Sequence, residues 1–169
     1  MTTIIFVTGG ARSGKSSFAQ HLAEQQAENP VYLATAHIWD EDFAQRVKHH
    51  QSARGEHWQT VEEEKWLSVH DLSGRTVLVD CITLWLTNFF NDSGYCEKKA
   101  LEAAKAEWQR FVRQEMFLIV VSNELGMGIH PENEAARKFA DLQGRMNQFI
   151  ACQADQVFLM VSGIPVKIK

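Results

Sequence analysis

Eight consecutive residues, Gly9-Gly10-Ala11-Arg12-Ser13-Gly14-Lys15-Ser16, satisfy the spacing G-x-x-x-x-G-K-[ST]. The chemistry that spacing serves is the holding of a polyphosphate. Glycines let the backbone turn tightly and approach oxygen atoms that a side chain would block. The bared N–H groups, with a helix N-terminus behind them, form an anion nest. In such a nest Lys15 reaches the β- and γ-phosphates of a nucleoside triphosphate, and the Ser16 hydroxyl ligates Mg²⁺. The second part of such a site is an apolar strand ending in an acid. "TVLVDC" supplies it, and Asp80 would hold Mg²⁺ directly or through water. The alternative for Asp80 is an ordinary strand-end aspartate capping the next segment.

A second cluster explains itself less well. Arg46 to Trp58 reads "RVKHHQSARGEHW" and contains His49, His50 and His57, three of the chain's seven histidines. On a helix from Asp40 to about Ala53, His50 shares a face with Phe43 and Val47. His49 falls with Asp42, Arg46 and Ala53 on a more polar face. Spacing by itself reads as an amphipathic helix with His49 in water. Zinc binding has little support, because adjacent histidines diverge on a helix and no acid or cysteine spacing backs them. A histidine that does chemistry is the third reading, and local spacing does not decide for it.

Placing these residues requires elements, and the chain alternates them. "IIFV" (4–7), "VYLA" (31–34), "TVLV" (76–79), "MFLIVV" (116–121) and "QVFLMV" (156–161) are continuous apolar runs. Runs of that kind are strands buried on both faces. Ser17 to Gln26, Lys98 to Gln114 and Asn133 to Gln153 are rich in good helix formers, with i,i+4 apolar pairs such as Phe18 and Leu22. The order β-α-β-α-β-α-β-α-β predicts an α/β fold of the P-loop NTPase, RecA-like type: a mostly parallel sheet with helices on both faces. One domain over residues 1–169 is expected, with no internal repeat or linker. The terminal "SGIPVKIK" adds a short last strand after Pro165, with Lys167 and Lys169 on a solvated edge.

Composition narrows the partners. With 45% hydrophobic residues, 22% charged residues and a net charge of −4, the chain lacks the basic footprint of a nucleic-acid binder. Cys81, Cys96 and Cys152 are odd in number and widely spaced, which suits free thiols in a reducing compartment. The first apolar run ends at once in Thr-Gly-Gly, so it is a strand and not a signal peptide, and no run is long enough for a membrane span. A cytoplasmic protein is expected. "DLSG" (71–74) imitates a GTPase switch motif, but it precedes the Asp80 strand, and no N-K-x-D guanine-reading motif occurs. A small-molecule kinase fits better than a switch.

A plain kinase has no evident need for "KHHQSARG". "FVTGGARSGKSS", "YLATA", "RVKHHQSARGEHWQTVE", "CITLWLTN", "VSNELGMGIHPEN" and "VSGIPVKIK" occur in this order from Val7 to Lys169. Together they resemble the bifunctional adenosylcobinamide kinase / adenosylcobinamide-phosphate guanylyltransferase family of cobalamin biosynthesis. The resemblance implies two reactions. ATP or GTP first phosphorylates a hydroxyl of the corrinoid adenosylcobinamide. GTP then transfers GMP to an enzyme histidine, and adenosylcobinamide phosphate takes it, giving adenosylcobinamide-GDP and pyrophosphate. By resemblance that histidine is His49. Its chemistry is sound, since a neutral imidazole can attack the α-phosphorus and leave a reactive phosphoramidate.

By the same resemblance Ala34, Thr35 and Ala36, the run Gln51, Ser52, Ala53 and Arg54, and Glu62 lie at nucleotide-binding positions. Arg54 has the strongest physical case, because a guanidinium suits phosphate oxygens. Glu62 can accept from guanine N1 and N2, or belong to a solvated helical turn of "EEE". "NELGMGIHPEN" (123–133) suits substrate or metal contact at the carboxyl end of the sheet, or a helix-entry loop. His37, after "ATA", departs from the family pattern. The resemblance also implies a homo-oligomer, a trimer.

Overall fold

The computed structural model describes residues 1–37 and 55–169. The expected helix from Asp40 to Ala53 lies outside them, and with it His49, His50, Gln51, Ser52, Ala53 and Arg54.

Seven strands among the described residues form one sheet: β1 (Thr3–Gly9), β2 (Val31–Ala34), β3 (Gln59–Glu62), β4 (Thr76–Asp80), β5 (Phe117–Asn123), β6 (Gln156–Val161) and β7 (Ile164–Lys167). Their order is β3-β2-β4-β5-β1-β6-β7. Every pairing is parallel except β6 with β7. Four α-helices among the described residues accompany them: α1 (Lys15–Gln26), α2 (Ile82–Asp92), α3 (Glu97–Phe111) and α4 (Glu134–Gln153).

The unbroken apolar strands are explained by two cores. Along β1, Ile4 and Phe6 face one core, and Ile5 and Val7 face the other. The first core packs the sheet against α2, α3 and α4, through Trp85, Leu86, Trp108, Phe111, Leu142 and Met146. Each such side chain, fully buried, contributes on the order of 1.5–3 kcal/mol. The second packs α1 against the other face through Ala19 and Ala23, small residues one turn apart that let the helix sit close. Helices therefore cover both faces, as the alternation of elements predicts.

Two elements escape the sequence reading. β3, "QTVE", has no apolar run, and three of its four residues are exposed. It exists because it is an edge strand: its backbone pairs with β2 from Val31↔Gln59 to Ala34↔Glu62, while its side chains need not be buried. Glu62 is thus in a strand and not in a helical turn. α2, "ITLWLTNFFND", lacks the Ala, Glu and Lys that marked the other helices, yet it buries Ile82, Trp85, Leu86 and Phe89 at helical spacing. Tertiary packing overrides weak propensity there. The terminal strand forms, but it starts at Ile164 and takes in Pro165 where the sequence places it after that residue; on a sheet edge a missing N–H costs little.

Candidate functional site

The phosphate loop leaves β1 at Gly9 and enters α1 at Lys15. Two glycines in it are required by space as well as by spacing. A Cβ on Gly9 would lie 2.6 Å from the Met160 carbonyl oxygen and 2.9 Å from Ser13 Oγ. Gly14 has φ +90°, and a Cβ there would press on Gly163 Cα at 3.2 Å. The turn between β6 and β7 supports the loop from this side, with the Gly163 N–H donating to the Ser13 carbonyl at 3.0 Å. Arg12 takes a left-handed φ of 56° and is exposed at the tip, with Gly10 and Ala11.

Lys15 is 7% exposed. Its ammonium donates to the Gly10 carbonyl and lies 3.4 Å from Ser13 Oγ. Burial lowers its pKa from the ordinary lysine value, and the negative charge of Asp80 opposes that shift. Asp80 is therefore close enough to be felt by Lys15, although β5 lies between their strands. The Asp80 carboxylate accepts a hydrogen bond from Tyr32 Oη at 3.1 Å. Ser16, in the first turn of α1, is half-buried. A hydroxyl at a helix start and a carboxylate at a strand end are the hard oxygen donors that Mg²⁺ accepts while keeping several waters. The residues present fit that ion.

Register places the remaining candidates in one row along the carboxyl end of the sheet. Glu62 pairs with Ala34, Ala34 with Asp80, and Asp80 with Val121. Gly9 pairs with Asn123. Asp80 and the loop thus lie near each other, whereas Glu62 is four strands from β1, roughly 19 Å at ordinary strand spacing. The structure does not bring Glu62 to the phosphate loop. Thr35 is fully buried and its hydroxyl donates to the Cys81 carbonyl at 2.8 Å, so its side chain ties β2 to β4 and is not free for a ligand. Ala34 and Ala36 are half-buried beside it. His37 bonds Glu64 through Nδ1 at 2.6 Å. Trp58 packs edge-on against Tyr32 and donates to Glu24 at 3.0 Å, a structural role.

Residues that the sequence reading gave no role complete the frame. Asn88 of α2 donates to the Thr35 carbonyl at 3.2 Å and the Glu64 carbonyl at 2.8 Å. Thr83 Oγ1 accepts from Asn123 N and Nδ2. Asn147 of α4 donates to the Asn123 carbonyl at 3.0 Å, and Ser122 donates to Asn147 Oδ1 at 2.7 Å. The Glu124 N–H then donates to the Gly9 carbonyl at 2.9 Å. The one sequence signal for these was polar side chains inside otherwise apolar helices and at a strand end. Cys81 is buried, which pushes its thiol pKa to about 12, so it is a packed thiol and no nucleophile. "DLSG" is a turn, with Asp71 Oδ1 accepting from Ser73 N at 3.2 Å and Gly74 at φ +74°.

A phosphate loop, a facing acid and this sheet order are common to many nucleotide enzymes; likeness over the whole chain is what separates them. Residues 5–168 match the family described as cobinamide kinase / cobinamide phosphate guanyltransferase. The chain belongs to that family. Bifunctional adenosylcobalamin biosynthesis proteins of Escherichia coli and Salmonella typhimurium are 41% and 42% identical to it, each over 98% of this chain and 99% of the relative. The corresponding protein of Pseudomonas aeruginosa is 35% identical over 96% of this chain and 95% of its own. Among solved structures, the flagellar accessory protein FlaH of Methanocaldococcus jannaschii aligns with 99% of this chain and 78% of its own, at 13% identity and a TM-score of 0.46. As a member of the cobinamide kinase / guanyltransferase family, the chain is an enzyme of adenosylcobalamin biosynthesis. No helix among the described residues is long and apolar enough to cross a membrane.

Proposed function

We propose that the chain phosphorylates adenosylcobinamide with ATP or GTP, and then transfers GMP from GTP through His49 to adenosylcobinamide phosphate. The observation that carries the kinase half is the buried Lys15 behind the phosphate loop, with Asp80 at the strand end on the far side of β5 and near enough for its charge to act on Lys15. The guanylyl half rests on family membership together with the His49 match, which lies outside the described residues.

In the first reaction the loop N–H groups and Lys15 hold the β- and γ-phosphates. The corrinoid hydroxyl oxygen attacks the γ-phosphorus, the bond to the β,γ-bridging oxygen breaks to release the nucleoside diphosphate, and the hydroxyl proton passes to solvent water. Lys15 exchanges its bonds to Gly10 and Ser13 for phosphate oxygens, so its charge is already placed where negative charge accumulates. Ser16 and Asp80 would hold Mg²⁺, which neutralises phosphate charge when bound.

In the second reaction the neutral His49 imidazole attacks the α-phosphorus of GTP and pyrophosphate leaves. A phosphate oxygen of adenosylcobinamide phosphate then attacks the same phosphorus, and the P–N bond breaks to regenerate the imidazole. Ala34, Thr35, Ala36, Gln51, Ser52, Ala53, Arg54 and Glu62 belong to the nucleotide-binding part of this reading. Thr35 enters it through its backbone, since its hydroxyl is committed to Cys81. The spacing of Glu62 from the phosphate loop favours a role toward the base over one toward the phosphates held there. A trimer, implied by the resemblance, is part of the same reading.

GTP labelled at the α-phosphate tests it. Label is expected on the denatured protein, labile in acid and stable in alkali, and absent from His49→Ala, which keeps kinase activity. A wild type that takes no α-label yet phosphorylates cobinamide is a plain kinase.

A further inference from the structure

We propose that the loop between β5 and α4, through Leu125, Met127 and Ile129, is the surface on which the corrinoid seats for phosphoryl transfer. This rests on the kinase reading above. Both roots of the loop are fixed. At one, Glu124 N donates to Gly9 O, and Glu124 Oε1 accepts from Gly126 N at 2.7 Å. At the other, Arg137 Nη1 donates to the carbonyls of Pro131 and Glu132, and Asn133 Oδ1 caps α4 by accepting from Ala136 N at 3.1 Å. Between the roots the chain reads Leu-Gly-Met-Gly-Ile-His, and its three apolar side chains are 38%, 78% and 96% exposed. Apart from Met1, Ile129 is the most exposed large apolar residue among those described. Clustered apolar side chains displayed on an anchored loop serve contact with something else.

Position identifies the partner. The loop starts one hydrogen bond from the first residue of the phosphate loop, on the strand beside β1. An acceptor hydroxyl must reach the γ-phosphorus from this end of the sheet. A corrinoid is a large ring whose edge carries methyl groups and methylene stems among its amides, and only one distant hydroxyl on it reacts. Its binding energy must therefore come from parts remote from the reacting bond. Aliphatic side chains and a polarizable, flexible thioether suit such a surface. Gly128, with open space where a Cβ would be, lets the loop follow the ring's contour. A second apolar patch, Val161, Ile164 and Val166, lies on the β6–β7 edge of the sheet. An edge strand suits another chain's backbone; a loop without strand pairing does not.

The test compares wild type with Leu125→Ser, Met127→Ser, Ile129→Ser and the triple variant. Cobinamide binding is followed by equilibrium titration, and the kinase reaction by steady-state kinetics. α-Label uptake from GTP without corrinoid, and mass in solution, serve as controls. The triple variant is expected to weaken cobinamide binding and raise its KM roughly tenfold or more, the span of lost apolar contacts in a site. The KM for ATP and the α-label uptake stay at wild-type values. An unchanged cobinamide affinity in the triple variant overturns the proposal. So does an equal rise in the KM for ATP, which makes the loop part of the nucleotide site. A smaller assembly with cobinamide affinity intact overturns it as well, by assigning the loop to a second copy. Wild type that binds cobinamide without phosphorylating it sinks the kinase reading alone, and the triple variant's lost binding would still support the surface.

Discussion

One hydroxyl, Thr83 Oγ1, accepts two hydrogen bonds from Asn123: from its backbone N–H at 3.1 Å and from its side-chain amide at 3.0 Å. Thr83 stands three residues after Asp80, and Asn123 is the last residue of β5, beside Gly9. The pair couples the exit of the acidic strand to the exit of the strand next to the phosphate loop. Thr83→Val keeps the shape and removes the acceptor, leaving two donors without a partner. It should cost about 1–3 kcal/mol, and it should lower kinase kcat more than it raises the KM for ATP. Thr83→Ser should restore both. Urea denaturation and kinase kinetics on the two variants decide it; a Val variant with normal kcat would show the coupling to be purely architectural.

Lys15 gives a pH dependence with a definite sign. Burial lowers its folded pKa below the unfolded value. Below the folded pKa the cost of burying its charge is fully present, and that cost is relieved as pH rises from the folded toward the unfolded pKa. Stability of the free protein therefore gains from this residue at alkaline pH. Nucleotide affinity runs the other way, because phosphate binding needs the ammonium. Affinity for ATP should be level at lower pH and fall as pH climbs through the lowered Lys15 pKa, with proton uptake on binding. Calorimetric titration in buffers of different ionisation heat reads that uptake. Lys15→Met should bind weakly and without it.

The nest itself can be broken with one methyl group. Gly9→Ala places a Cβ at 2.6 Å from a backbone oxygen and 2.9 Å from Ser13 Oγ, at a φ of +153° that an alanine rarely takes. The backbone must shift, and Glu124 N loses its partner at Gly9 O. The expected loss is on the order of 2–4 kcal/mol of stability and most of the ATP affinity. Gly10→Ala, with nothing within 4 Å of the added carbon, should change stability little. Thermal melts with and without ATP separate the two. Similar melts for both variants would count against the crowding described for Gly9.

How far the fold can be read from the sequence follows from what each residue signals locally. β1, β4 and β5 are legible because strands buried on both faces must be apolar throughout. The phosphate loop is legible because nest, lysine and hydroxyl are contiguous. β3 is not, since an edge strand with exposed side chains leaves no pattern. α2 is not, since its aromatic residues indicate burial before they indicate helix. Ala34, Asp80 and Glu62 fall in one row because register aligns them, and register is a long-range property. The commitment of Thr35 to Cys81 depends on a contact 46 residues away in sequence, which spacing does not encode.

Asn88 supplies the sharpest test of that long-range frame. It is 6% exposed, and its amide nitrogen serves the carbonyls of Thr35 and Glu64, which lie on the exits of β2 and β3. Thr35 in turn bonds the Cys81 carbonyl, just past β4. One amide thus pins three strand exits. Asn88→Leu removes both bonds and strands two carbonyls, a loss of about 1–3 kcal/mol per unsatisfied group. Asn88→Asp should be worse at neutral pH, because a carboxylate would face two carbonyl oxygens. That crowding raises the introduced carboxyl's pKa above its unfolded value. Its penalty is then fully present above the folded pKa and shrinks as pH falls toward the unfolded one, where a protonated carboxyl can donate to one carbonyl. The urea midpoint of Asn88→Asp relative to Asn88→Leu should therefore recover on acidification from pH 8 to about pH 5. A difference between the two variants that does not move with pH would mean that the amide is not the pin, and that α2 holds the strand exits through its apolar face alone.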